Sequence, residues 1–310
     1  MGGFLLSLQT GLVRDHFYTL GLNWSGVYLL DGKKPVLFES GFACAAGLYE
    51  EGIRTVLGRR EPKYLFLTHS HWDHCGSTGH LKNVFPSLEV CASARAADIL
   101  KRPKARELIA GLSEEIVAPL SAVPGVDPSR LLAHAFQPFE VDRVLTNGQR
   151  VELEEGLTVE VLATPGHTRD QLSYYIPERR ILIATESAGL IERSGQIVSE
   201  FLVDYDAYVA SIERLAALPV EVLCQGHHYV LVGRDEVERF FARSLEEAER
   251  FKNRVYELLD AESGSIERVM ERIKAEQWDG KKGPKQPLPA YLLNLRARVS
   301  HLAKRKTQEP

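Results

Sequence analysis

Three imidazoles and a carboxylate crowd into one short stretch, Thr68-His69-Ser70-His71-Trp72-Asp73-His74-Cys75-Gly76. Imidazole nitrogen and carboxylate oxygen both suit zinc, iron and manganese. Histidines at i, i+2 and i+5 cannot share one face of a strand or of a helix. The segment is therefore expected to be a loop folded around its ligands, with room for more than one metal. A surface loop can carry histidines by accident, but a cluster this dense directly after a strand argues for metal chemistry.

The elements that must position these residues come next. Tyr64-Leu65-Phe66-Leu67 is an apolar run that reads as a buried strand ending at the cluster. Four further polar groups follow strand-like runs. Glu39-Ser40-Gly41 follows a hairpin, Val27 to Leu30 and Val36 to Glu39 around Asp31-Gly32. Thr164-Pro165-Gly166-His167-Thr168 follows the alternating run Leu157 to Leu162. Ala184-Thr185-Glu186 follows Ile181 to Ile183, and Gln225-Gly226-His227-His228 follows Val220 to Cys224. A helix is expected over Leu48 to Leu57, stopped by Gly58, and another after Ser93. Residues about 94–139 alternate helical fragments with Pro103, Pro119, Pro124 and Pro128 and read as a helical insertion over the sheets. Val144-Leu145, a turn at Asn147-Gly148 and Val151 to Leu153 read as a hairpin. Helices are expected over Ala207 to Leu215 and Glu236 to Leu259, from Ser265, and over Tyr291 to Lys304. Two rounds of strands with interleaved helices point to two similar halves packed sheet on sheet, helices outside.

At 310 residues with a 44% apolar fraction, the chain can build one large α/β domain with an appendage. The net charge of -4 argues against nucleic acid or an anionic membrane surface as partner. Cys44, Cys75, Cys91 and Cys224 lack metal-site or redox spacing and read as reduced thiols of a cytoplasmic protein. The first residues lack the regions of a signal peptide, and no apolar run reaches membrane-spanning length.

His69-Ser70-His71-Trp72-Asp73-His74, then Pro165-Gly166-His167-Thr168, an acid at Glu186 and Gly226-His227 together resemble the metallo-β-lactamase superfamily. The resemblance spans roughly Leu20 to Gly233. It implies a four-layer αβ/βα sandwich with a two-metal site along one edge. His69, His71 and His167 would hold the first of two divalent metals, zinc foremost, with iron or manganese as alternatives. Asp73, His74 and His227 would hold the second, and Glu186 would bridge them where the family usually has Asp. Glu39 stands where the family commonly has Asp and would hydrogen-bond a ligand imidazole. His228 is the alternative to His227. His16, His80, His134 and His301 lack strand-end context and read as surface or capping histidines. The expected domains are a catalytic unit over 1–233 and a helical extension over 234–310 that covers the site.

Two metals about 3.5–4 Å apart clamp a water and lower its pKa toward neutrality, giving a hydroxide nucleophile. Asp73 would orient it, so the resemblance implies a metal-dependent hydrolase. The helical insertion and C-terminal helices resemble those of the quinolone-signal response protein and related thioesterase- or lactonase-like members. An ester or thioester of a small acyl group is the expected substrate. Phe136, Phe139, Trp278 and Tyr291 are candidates to line its pocket. The alternatives are a phosphodiesterase or nuclease of the superfamily, an interaction protein with a retained site, and a mononuclear-iron dioxygenase. The oligomeric state stays open, a homodimer being one option.

Overall fold

A computed structural model describes residues 3–6, 10–22, 24–123, 126–133, 135–281 and 285–308. Pro124 and His134 lie outside the described residues. Contacts divide the chain into two compact units. The first comprises Met1–Ala163, Asp170–Thr185 and Pro219–Val237; the second comprises Thr164–Arg169, Glu186–Leu218 and Glu238–Pro310.

The first unit holds two seven-stranded sheets. One runs, edge to edge, Gly11–Arg14, Phe17–Leu20, Val27–Leu30, Val36–Phe38, Tyr64–Phe66, Glu89–Ser93 and Arg143–Leu145. Its pairing is antiparallel as far as Val36–Phe38 and parallel beyond it. Parallel neighbours need a crossover, which the helices Ala46–Leu57 and Thr78–Val84 supply. The other sheet runs Gly3–Leu6, Tyr229–Val232, Val222–Cys224, Ile181–Ile183, Leu172–Ile176, Leu157–Ala163 and Arg150–Glu154.

Alternation along the central strands explains the layering. Leu29, Leu37, Leu65 and Val90 point to one side and pack on helix residues Tyr49, Ile53, Leu81 and Leu100. Leu30, Val36, Phe38 and Phe66 point to the other and meet Tyr174, Ile183 and Val222 of the second sheet. The Tyr174 ring sits 5.8 Å from Phe38 and 5.2 Å from Phe66, centroid to centroid. Strands buried on both faces carry no polar alternation, which is why Tyr64-Leu65-Phe66 reads as a continuous apolar run. The insertion forms helices Ala94–Leu100, Pro103–Glu115 and Val117–Ser121 on the outer, helix-covered core. Ser93 caps the first of them, its Oγ accepting the Ala96 amide at 3.1 Å.

The second unit contains the helices Tyr205–Ala216, Ile266–Lys274 and Leu288–Lys306, and from Glu238 onward the long helix Arg234–Ala261. Phe201 anchors its core against Tyr205, Tyr208 and Phe251, at ring separations of 5.2, 5.9 and 5.9 Å. Among the described residues no helix is long and apolar enough to cross a membrane.

Four expectations change. Asn147-Gly148 does not close a hairpin: Arg143–Leu145 belongs to one sheet and Arg150–Glu154 to the other. The turn docks on a third strand instead, Gly148 N–H donating to the Val161 carbonyl at 2.8 Å and Asn147 Oδ1 accepting the Ala163 amide at 2.9 Å. The histidine-rich segment is not all loop, since Trp72–Cys75 forms one helical turn. Phe139 is buried in the helix-side core and Phe136 packs against it, so neither is placed as a pocket residue. The short strands at Gly3–Leu6, Gly11–Arg14, Phe17–Leu20 and Tyr229–Val232 carry too few residues to show a period and were not anticipated.

Candidate metal centre

The loop after Tyr64–Phe66 is held by its own backbone and by its neighbours. The His74 carbonyl accepts three hydrogen bonds, from Ser40 N–H at 2.8 Å, Gly41 N–H at 3.1 Å and Ser40 Oγ at 3.0 Å. Asp170 Oδ2 accepts the Ser70 amide at 2.8 Å. Ser25 Oγ donates to the Asp73 carbonyl. Gly76 allows the close approach: a Cβ there would lie 2.5 Å from Ala43 N and 2.8 Å from the Gly41 carbonyl oxygen.

These contacts gather five of the expected ligands in the first unit. The His69 and His71 rings are 4.5 Å apart, and His69 and His74 are 4.3 Å apart, centroid to centroid. Asp73 Oδ2 is 3.8 Å from His74 Nε2 and 3.5 Å from His227 Nε2. Asp73, His74 and His227 offer ligand atoms all within 4.8 Å of one another, and so do Glu39, His69 and His74. His228, beside His227, lies T-shaped to Trp24, with ring centroids 6.2 Å apart.

The other face of each imidazole decides what the site can hold. Glu39 is fully buried, accepts the Thr68 amide at 2.6 Å through one oxygen and holds His74 Nδ1 at 2.6 Å through the other. His227 Nδ1 donates to the Trp24 carbonyl. His69 Nδ1 lies 2.9 Å from Thr68 Oγ1. An imidazole whose Nδ1–H is given to an oxygen carries its lone pair on Nε2, the tautomer and orientation a metal requires. The donor set therefore fits divalent metal.

His167 and Glu186 belong to the second unit. His167 is buried, and its Nδ1 donates to the Glu200 carbonyl at 2.5 Å. The Glu200 amide in turn donates to Tyr208 Oη at 3.0 Å. The Gly166 carbonyl accepts amides of Leu202, Val203 and Asp204 at 3.1 to 3.3 Å. Gly166 has φ +134°, and a Cβ there would lie 2.4 Å from the Tyr208 Cα. Glu186 is buried and opens the turn closed by Gly189 N–H on its carbonyl at 3.1 Å.

Backbone strain collects where strands meet these residues. Glu39, Thr185 and His228 have φ of +65°, +48° and +63°, a region that non-glycine residues seldom occupy. Burial pushes the Cys75 thiol well above its ordinary range, and the Glu39, Asp73 and Asp170 carboxylates add to the shift. The other expected bystanders behave as such: His16 is exposed in a turn, and His80 pairs with Glu50 at 2.9 Å. Sequence reasoning missed the Trp24 and Glu200 carbonyls, because a backbone acceptor leaves no mark on residue type. It also gave no sign of the Asp170 carboxylate, which holds the Ser70 amide.

A sequence model of the Metallo-beta-lactamase superfamily matches residues 20–227. Among curated proteins, the hydroxyacylglutathione hydrolase of Ruegeria pomeroyi is 25% identical over 166 residues, 53% of this chain and 48% of that protein. The atrochrysone carboxyl ACP thioesterase of Aspergillus fumigatus is 22% identical over 223 residues, 72% of this chain and 53% of that protein. The chain spans about half the length of these two relatives. The subclass B3 metallo-beta-lactamase of Bradyrhizobium japonicum superposes with a TM-score of 0.57 at 20% identity, covering 82% of this chain and 96% of that one, which shows a shared fold. With the family match spanning two thirds of the sequence and the fold shared over most of it, the chain belongs to the metallo-beta-lactamase superfamily.

Proposed function

We propose that the chain is a metal-dependent hydrolase of small acyl esters or thioesters. In this reading His69, His71 and His167 would hold one divalent metal, Asp73, His74 and His227 would hold a second, and Glu186 would serve as a further ligand. Zinc is the metal expected first. The observation that carries the reading is the set of acceptors on Nδ1 of His74, His167 and His227, which presents Nε2 as the donor atom each time. Bound there, divalent metal supplies Lewis acidity and hydroxide at neutral pH.

The chain's own residues do the rest. Glu39 fixes the His74 ring and, through the Thr68 amide, the start of the loop. Asp73 would orient the attacking hydroxide through a carboxylate oxygen. The relatives named for hydroxyacylglutathione hydrolysis and for an ACP thioesterase support thioesters as the substrate class. The C-terminal helices, Trp278 and Tyr291 among them, are proposed to shape the acyl pocket. The partner is a small molecule rather than nucleic acid or membrane, and the setting is cytoplasmic.

His69→Ala and Asp73→Ala, assayed on CoA thioesters, lactones and bis-aryl phosphates with metal content measured in parallel, test this. Both variants should lose at least about 1,000-fold in turnover, as expected when a metal ligand or the group orienting the nucleophile is removed. A fully active, metal-replete variant contradicts it. Phosphodiesterase activity alone, or oxygen uptake with persulfide at one iron per chain, would move the protein to another reaction class.

A further inference from the structure

The helix Pro103–Glu115 turns Ile109 and Ser113 inward, and Ile109 joins the helix-side core. Its opposite face reads Lys104, Leu108, Gly111 and Glu115, all exposed. Steps of four, three and four residues are those of a coiled-coil seam, so the four positions lie in one line along the helix. Two of them are out of place on a face that meets only water. Leu108 is 61% exposed. Gly111 sits inside the helix, and glycine is the poorest helix former after proline. Nothing within the chain asks for it, since a Cβ there would meet no neighbouring atom within 4 Å. A lone exposed leucine is ordinary. A leucine one turn from an otherwise unexplained helical glycine is a knob beside a hole.

The seam is also complementary to itself. A twofold axis midway between Ile109 and Ala110 sets a second copy of the helix antiparallel to the first. Lys104 then falls opposite Glu115 of the second copy, and Leu108 falls opposite its Gly111. Each end of the seam joins opposite charges, and each leucine meets bare backbone with the half-buried Leu112 beside it. Parallel pairing would instead set lysine on lysine and glutamate on glutamate, and would face glycine with glycine. We propose that this face is a homodimer interface, in which two copies of the chain pair antiparallel through the helix Pro103–Glu115, Leu108 of each seated on Gly111 of the other. The glycine admits close approach of the two backbones, and the charges fix direction and register. The interface does not depend on the hydrolase reading.

Sedimentation velocity on the full chain tests this. One helix pair lies toward the low end of specific interfaces, so the expected dissociation constant is on the order of 10 µM, within reach of a series from about 1 to 200 µM. Leu108→Glu should weaken the dimer at least about 100-fold, as loss of a central anchor does. Gly111→Ala should weaken it about tenfold by filling the hole. The same change should raise the melting temperature of dilute, monomeric protein, because alanine is the better helix former. Lys104→Glu and Glu115→Lys, each placing like charges together twice per dimer, should weaken it about tenfold apiece. The two reversals combined should bring the dissociation constant back to within about threefold of wild type. All four positions are exposed, so the variants should fold, and thermal melts check that they do. A chain that stays monomeric across the series overturns the proposal, whatever else the Leu108 face binds. A dimer indifferent to Leu108→Glu is built elsewhere and overturns it too. A double reversal as weak as its single parents overturns the antiparallel register.

Discussion

Glu39 is the residue on which the centre turns. It is fully buried, sits at φ +65°, and divides its two oxygens between the Thr68 amide and His74 Nδ1. Such strain persists where the surroundings over-determine it, here a carboxylate fixing both the start of the loop and one of its imidazoles. Glu39→Gln keeps the size and removes the charge. Metal affinity, measured by competition with a chelator, should fall about 10- to 100-fold; wild-type retention would show that the carboxylate does not tune the site. The residue types of the centre were legible because His, Asp and Glu at strand ends are chemically conspicuous. The acceptors behind them were half legible. Glu39 announces itself, while the carbonyls of Trp24 and Glu200 could be found only once the fold brought them to His227 and His167.

Elements place these residues through tight turns and caps. Gly166 holds the turn before His167 at φ +134° against the Tyr208 backbone, where no side chain fits. Gly166→Ala should cost about 3 kcal/mol or more and lower the melting temperature by about 5 °C or more, seen in a thermal melt. An unchanged melt would mean that the turn can move. His301 Nε2 accepts the Tyr205 amide at 2.9 Å, satisfying an orphan donor at the start of the helix Tyr205–Ala216. Burial lowers the His301 pKa, with Arg305 and Lys304 contributing in the same direction. Because the folded value lies below the unfolded one, its contribution is complete above about pH 6.5. It is lost as pH falls from there through the folded value. The difference in melting temperature between wild type and His301→Gln should therefore shrink from pH 7.5 to pH 5; a constant difference would show that His301 does not titrate between the two states. Elements with a long period or a capping residue, such as the helices after Ser93 and Ser265, could be read from sequence. Asn147-Gly148 could not, since the same turn residues serve a hairpin or a crossing between sheets, and only long-range pairing decides.

Across the whole molecule, two seven-stranded sheets and their core were foreshadowed by alternating and continuous apolar runs. What those runs left out is the second unit, in which the helix Tyr205–Ala216 and the segments around His167 and Glu186 group with the C-terminal helices. Sequence order hides such grouping, because contacts between distant segments leave no local period. A metal bound only by the folded chain stabilises it by mass action. Chelation should therefore lower the melting temperature, and added zinc should restore it; a melt indifferent to chelator would contradict a resident metal. The most direct measurement is turnover of zinc-loaded protein on a panel of acyl thioesters before chelation, after it, and after zinc is returned. The prediction is hydrolysis that disappears with the metal and comes back with it. Hydrolysis untouched by metal removal, or none on any thioester by a metal-replete protein, would contradict it.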